Sequence, residues 1–405
     1  MGATPRVRQA PVAALGLAGC AVVMLLRAPA AQQAAQQPAQ PTFRTGINTV
    51  RVDAVVSDHS GRPLTDLTKE DFEVTEKGKR QTITNFKLEM LDGGLLTGPN
   101  EGVTTISSDE VEQEEAAKDD VRLFTLFLDD YHVSEESTRI VREQLSRWVE
   151  TQLGPTDMVG VMYPLTPLAG IRMTRNREIT IKAIQQFEGR RGNYTPRNPI
   201  EEGYVKWNGL QPEEIEVVRR EVVYSALRAI ATHMGGLKQG RQTLIFVSEG
   251  FEENRFVKRP MFSSGKRWDT DLLAMEDIAA VANRNHTAIY AIDPRIYPPG
   301  TQWMPSNTMD TLSFLANNTG GRAIFDQTQT GSELRDRYKT YELPTSGLAL
   351  AMKQMMIDAS VYYLLGYESS VPADDKFHEI GVKVKRRGVE VRHRQGYFAT
   401  RPPSR

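Results

Sequence analysis

The chain has 405 residues, of which 40% are hydrophobic and 25% charged, enough apolar material for a sizeable core. A net charge of -1 gives no basic surplus for nucleic acid or for an anionic membrane surface. Cys20 is the single cysteine, which excludes an internal disulfide and leaves a catalytic thiol without support.

The amino terminus reads as an export signal over residues 1–30. Arg6 and Arg8 precede an apolar run, Val12 to Leu26, that is short for a membrane span, and Ala28-Pro29-Ala30 has the small-x-small pattern of a cleavage site. Leu17-Ala18-Gly19-Cys20 also fits a lipoprotein box, so two processing routes stay open, cleavage after Ala30 or a lipid anchor at Cys20. Residues 31–42, rich in Ala, Gln and Pro, read as a disordered tether.

Residues 43–90 carry strand signals. Thr49 to Val56 alternates, Asp71 to Thr75 is a second strand, Glu76 to Lys79 is a turn, and Gln81 to Glu89 returns. Residues 91–120 hold five glycines and prolines and then an acidic run, Asp109 to Asp120, which predicts a solvated, flexible linker.

From Val121 strands and helices alternate, as expected of a Rossmann-like α/β domain over residues 121–358. Val121 to Leu128 is an apolar strand that stops at Asp129 and Asp130. Ser134 stands as the N-cap of a helix from Glu135 to Leu153. Asp157 to Tyr163 is the next strand, and helices are predicted at Arg177–Phe187, Pro212–Met234, Asp271–Arg284, Met309–Asn317 and Ser346–Ile357. Between them, Gln242 to Val247 ends at Ser248-Glu249-Gly250, and Thr287 to Ile292 ends at Asp293-Pro294. Gly189 to Gly209 and Phe251 to Asp269 read as long loops. The alternation implies a mainly parallel sheet with helices on both faces.

Residues 359–400 return to strands. They are expected to pack beside the 43–90 segment, since short antiparallel pieces need partners. Lys383, Lys385, Arg392 and Arg394 recur at every second position and predict the solvated face of a hairpin.

Several catalytic patterns are missing. There is no Gly-x-Ser-x-Gly elbow, no phosphate-binding glycine loop at a strand–helix junction, and no His-x-x-x-His spacing among the six histidines. His132 has no neighbouring His or Cys and reads as a loop side chain. The expectation is a protein that is not an enzyme.

Asp66-Leu67-Thr68-Lys69-Glu70-Asp71-Phe72-Glu73-Val74, with Gly78 and Ile83-Thr84-Asn85-Phe86, resembles the entry motif of the bacterial, acidobacterial-type VWFA-related secreted proteins. Tyr363 to Tyr367, Phe377-His378-Glu379-Ile380 and Gly396-Tyr397-Phe398 resemble the tail of the same family. The resemblance spans roughly residues 43–400 and implies a von Willebrand factor type A domain between the two β segments.

It further implies a metal-ion-dependent adhesion site for Mg²⁺ or Mn²⁺ at the carboxyl edge of the sheet, completed by a carboxylate of a protein partner. Asp129 matches the first Asp of the family's Asp-x-Ser-x-Ser, but Tyr131 and Val133 fall on the serine positions. A shift by one gives Asp130, His132 and Ser134. Thr195 matches the loop threonine, and Glu249 stands for the later aspartate. The expected metal ligands are therefore Asp129, Asp130, Ser134, Thr195 and Glu249, in a degenerate site. The expected function is an exported adhesion or protein-binding module. The alternative is a metal-free scaffold of the cell envelope that binds through loops.

Overall fold

The computed structural model describes residues 49–94, 105–207, 209–251, 268–295, 308–325, 347–374 and 376–399. The expected signal, the tether, Cys20 and most of the Phe251–Asp269 loop lie outside these residues.

Among them, five parallel strands form one sheet in the order β6-β5-β7-β8-β9. They are β5 (Leu123–Leu128), β6 (Met158–Met162), β7 (Gln242–Val247), β8 (Thr287–Ile292) and β9 (Ala323–Ile324). Every residue of β5, β7 and β8 is buried, because helices cover both faces. Alternation sorts the side chains. Phe124, Leu126, Leu128, Ile245 and Val247 meet Val141, Leu145 and Trp148 of α2 (Thr138–Thr151), and Met352 and Met355 of α8 (Gly347–Ser360). Phe127, Leu244 and Phe246 point the other way, onto Val223, Leu227 and Ile230 of α5 (Pro212–Leu237) and Ile278 of α6 (Trp268–Arg284). The architecture is mixed α/β, as the sequence predicts. Among the described residues no helix is long and apolar enough to cross a membrane.

The two chain ends build antiparallel sheets. β1 (Thr49–Asp58) lies between β10 (Val361–Glu368) and β12 (Val389–Arg392), and β4 (Ile83–Met90) pairs with β10 on its other side. The second sheet runs β13-β11-β2-β3, with β11 (Phe377–Val384) between β13 (Gly396–Phe398) and β2 (Phe72–Glu76). Val50, Val52 and Ala54 from the first sheet face Phe72, Val74 and Val382 from the second. Phe72, Phe86 and Tyr363 form an aromatic trio with centroids 5.0–5.7 Å apart.

Four sequence expectations differ from what is found. The single returning strand Gln81–Glu89 is two: β3 (Lys79–Gln81) pairs with β2, Thr82 is exposed, and β4 crosses to the other sheet. The acidic linker folds in part as α1 (Asp109–Ala116), with Glu112 and Glu115 buried. Charge repulsion is relieved by residues distant in sequence: Arg175 meets Glu115 at 3.0 Å, and Glu112 accepts the Met173 backbone N–H at 2.5 Å. The Gly189–Gly209 loop holds a helical turn, α4 (Pro199–Glu202), followed by a π-turn, Gly203–Trp207.

The fourth is the basic stripe. Arg392 and Arg394 are not solvated but dock on the α/β domain. Arg392 forms a two-pronged ion pair with the fully buried Asp358 of α8, at 2.5 and 2.6 Å. Arg394 donates to the Asn283 carbonyl of α6 at 3.1 Å. The β segments are thus riveted to the α/β domain by charge as well as by packing.

Candidate functional site

The site forms where β5 ends. The Asp129 N–H continues the parallel ladder by donating to the Val247 carbonyl at 3.0 Å, which turns the carboxylate inward. Asp129 is fully buried. It accepts from Ser248 Oγ at 2.8 Å, from the His132 backbone at 3.2 Å and from His132 Nδ1 at 2.8 Å. His132 Nε2 faces Glu216 of α5 at 3.5 Å, and its ring meets Phe251 edge-on at 4.9 Å. Burial works against a charged imidazole, but the Asp129 and Glu216 carboxylates outweigh it and raise His132 to about 9. His132 is a loop residue, as the sequence suggests, but its side chain is buried between two carboxylates.

The next residue belongs to a separate network. Asp130 accepts from Arg190 Nε at 2.8 Å, and the same guanidinium grips Glu201 of α4 through both Nη atoms. Tyr131 is buried. Its hydroxyl donates to Glu201 at 3.1 Å, and its ring stacks between Arg190 at 4.6 Å and Arg219 at 4.8 Å. Burial pushes Asp130 up to about 6; Arg190 opposes this, while Asp129 adds to it. Burial would also raise Glu201, but its bonds to Arg190 and to the Arg197 backbone hold it at about 2.

Ser134 and Glu249 do come together. Glu249 Oε1 accepts from Ser134 Oγ at 2.6 Å, the Ser134 N–H at 2.9 Å and Ser137 Oγ at 2.9 Å, while Oε2 meets Arg191 at 3.0 Å. Burial opposes this carboxylate's charge, yet these four donors lower its pKa. The helix starts later than the sequence suggests: Ser137 occupies the N-cap and Ser134 begins the preceding turn. Gly189 lets the other loop approach this turn. A Cβ there would lie 2.4 Å from the Ser134 carbonyl, and the following N–H groups of Arg190 and Arg191 donate to the Asp130 and Val133 carbonyls at 2.9 Å each.

Thr195 stands apart. It is exposed, and its backbone N–H donates to Asn193 Oδ1 at 3.0 Å. The expected ligands are thus divided between a His132–Asp129–Ser248 network, an Arg190-centred network holding Asp130, a Ser134–Glu249 pair and the exposed Thr195.

A Mg²⁺ site needs oxygen ligands with free lone pairs converging at about 2.1 Å. Among the described residues no group of three or more His, Cys, Asp or Glu side chains is placed to hold a metal ion. The carboxylates at the strand end already accept from His132, Arg190 and Arg191, so positive charge comes from the protein itself. Tyr131 spends its hydroxyl on Glu201, and Val133 has none. As placed, these residues do not fit the ion.

The residues that organise the site, beyond the expected five, are His132, Arg190, Arg191, Glu201, Arg219 and Glu249's partner Ser137. One signal was available: the basic pair in Gly189-Arg190-Arg191-Gly192 shares its loop with Glu201 and Glu202, and Arg190 takes Glu201 as its partner.

No protein-family profile matches the chain, and no curated protein matches it. Among solved structures, the human COPII-coat protein Sec24c is similar at a TM-score of 0.26 and 10% sequence identity, over 75% of this chain and 48% of that one. The chain thus spans about half the length of that protein.

Proposed function

We propose that the chain is an exported, non-enzymatic protein-binding module that offers the carboxyl edge of its parallel sheet to a partner without a resident metal ion. Open α/β sheets bind ligands at that edge. The observation that carries the reading is the clamp beneath residues 189–202. Arg190 and Arg219 are 4% and 1% exposed, and Arg219 donates to the Asn193 carbonyl at 2.7 Å. Above them Thr195, Arg197 and Ile200 face solvent, Ile200 at 62% exposure. Burying guanidinium groups costs several kcal/mol unless each is well paired. The pairing here holds a surface loop in one shape, which reduces the ordering cost of association. Val12–Leu26 and Ala28-Pro29-Ala30 support export.

Affinity capture from the envelope fraction of the producing cells tests this. Wild type and Ile179→Asp, altered at an exposed position of α3 (Arg177–Gln185), are expected to retain a common partner in the presence of EDTA, and Ile200→Asp to lose it. Equal retention by all three, or loss of the partner on chelation, overturns the reading.

A further inference from the structure

The first antiparallel sheet ends on β4, and among the described residues no strand pairs with the outer edge of β4. The Leu91 N–H donates to the Ser360 carbonyl at 2.7 Å, and the register continues with Met90 opposite Val361 and Glu89 opposite Tyr362. In an antiparallel ladder every second residue turns its backbone N–H and C=O toward the same neighbour. Glu89, Lys87 and Asn85 therefore direct these groups at β10, while Met90, Leu88 and Phe86 direct theirs outward. A row of outward backbone groups is a template for one more strand.

Side chains sort by the same alternation. Phe86 and Leu88 lean on the core between the two sheets, and Met90 follows on that face at 61% exposure. The opposite face of the sheet forms the seam with the α/β domain, where Arg51 of β1 donates to the Gln239 carbonyl at 2.8 Å. Lys87 and Glu89 lie on that face and pair along the strand at 2.9 Å, with the Lys87 side chain 53% exposed.

We infer that the β4 edge is a self-association surface whose occupant is β4 of a second copy of this chain. The strand is self-complementary. With Leu88 opposite Leu88 of the second copy, antiparallel about a two-fold axis, Phe86 falls opposite Met90, and the outward backbone groups of all three positions meet partners. Lys87 then falls opposite Glu89 of the second copy, twice by symmetry. The four charges form an alternating square: the Lys87–Glu89 pair of each copy closes two sides, and the cross-strand pairs close the other two. On the inner face Phe86 gains the Met90 thioether as a neighbour. Sliding one copy by two residues sets Lys87 against Lys87 or Glu89 against Glu89, and a parallel arrangement in register sets both like pairs side by side. The charge pattern thus selects one direction and one register. The assembly joins two four-stranded sheets into one continuous sheet.

Sedimentation equilibrium of the full chain over a range of concentrations tests this. Wild type is expected to rise from the mass of one chain to that of two. Lys87→Glu and Glu89→Lys each place like charges opposite one another on both sides of the axis, and each is expected to weaken association by roughly tenfold or more. An equimolar mixture of the two variants is expected to recover the wild-type dimer, because every cross-strand pair is again of opposite sign; a folding defect in one variant would not be repaired by the other. Met90→Pro removes an outward N–H and none that faces β10, so it is expected to weaken the dimer while β4 stays in its sheet. A wild type that keeps the mass of one chain throughout overturns the inference. So does a dimer indifferent to the charge reversals or to Met90→Pro, or a mixture that associates no more tightly than the separate variants.

Discussion

Glu249 and Ser134, 115 positions apart in the chain, are joined by a 2.6 Å hydrogen bond that ties the end of β7 to the turn entering α2. With Ser137 and Arg191 on the same carboxylate, Glu249 acts as the keystone of the sheet edge. Glu249→Ala removes the carboxylate that two serine hydroxyls, a backbone N–H and a guanidinium share. It is expected to lower stability by roughly 2–4 kcal/mol. Glu249→Gln keeps an acceptor for the serines and weakens only the Arg191 pair, at a cost of about 1 kcal/mol. Urea unfolding measures both, and equal losses would show that the serine contacts contribute nothing.

The buried charges set opposite pH dependences. His132, raised to about 9, contributes stability that is complete below its ordinary value of 6.5 and is lost as pH climbs through 9. Asp130, raised to about 6, follows the same sign: ionising it is a cost, which is relieved as pH falls through 6 toward 3.8. Glu201, lowered to about 2, runs the other way; its contribution is present above 4.5 and lost as pH falls toward 2. Stability is therefore expected to rise from pH 9 to about pH 5 and then to fall. In His132→Gln the slope between pH 6.5 and 9 should flatten. An unchanged slope in chemical denaturation at several pH values would remove His132 as its source.

The strand–helix alternation, the buried β5 and the acidic strand end could all be read from the chain, because apolar runs and periodicity are local signals. The pairing of the two chain ends was also legible, since neither set of strands could be stable alone. What the sequence hid were charges whose partners lie far away. Arg392 alternates like a solvent-facing residue, yet Asp358 awaits it. Glu112 and Glu115 look like spacer charges, yet Arg175 and the Met173 N–H receive them. At the site, Asp129 and Asp130 were visible as candidate ligands, but their cationic counterparts His132 and Arg190 were not. Side-chain pairing across a fold leaves no periodic trace.

Because guanidinium and imidazolium groups occupy the carboxylates at the strand end, added Mg²⁺ or Mn²⁺ at millimolar level is expected to leave Tm unchanged, and EDTA likewise. Calorimetric titration should show no site-specific heat in wild type. A saturable heat lost in Asp129→Ala would contradict this. It would mean that a divalent ion can displace His132 and Ser248 from Asp129.

Arg190 holds Asp130 and Glu201 together at 4% exposure, so Arg190→Met leaves the buried Glu201 and the half-buried Asp130 without their shared cation. The expected loss is roughly 3–5 kcal/mol. Local opening should outpace global unfolding, because the clamp secures the 189–202 loop more than the core. Limited proteolysis is expected to cut near Arg191 and Arg197 in the variant while wild type resists. Identical digestion of both would show that the loop keeps its shape without the clamp.

The seam offers the sharpest energetic test. Asp358 lies at the end of α8, three residues before β10 begins, and it receives Arg392 from β12 at 2.5 and 2.6 Å. Tyr290 at 3.2 Å and Arg322 at 3.7 Å complete its surroundings. Asp358→Asn therefore removes the charge that Arg392 pairs with and is expected to cost roughly 3–5 kcal/mol. Arg392→Met costs less, because Arg322, Tyr290 and Gln354 still serve the carboxylate. The double variant should cost less than the sum of the single losses, by roughly 1–3 kcal/mol, the coupling expected of residues in one network. Additive losses would mean that the β segments are fastened to the α/β domain by packing alone. A coupling of this size instead assigns part of the fastening to one ion pair, formed only when β12 has docked beside β1.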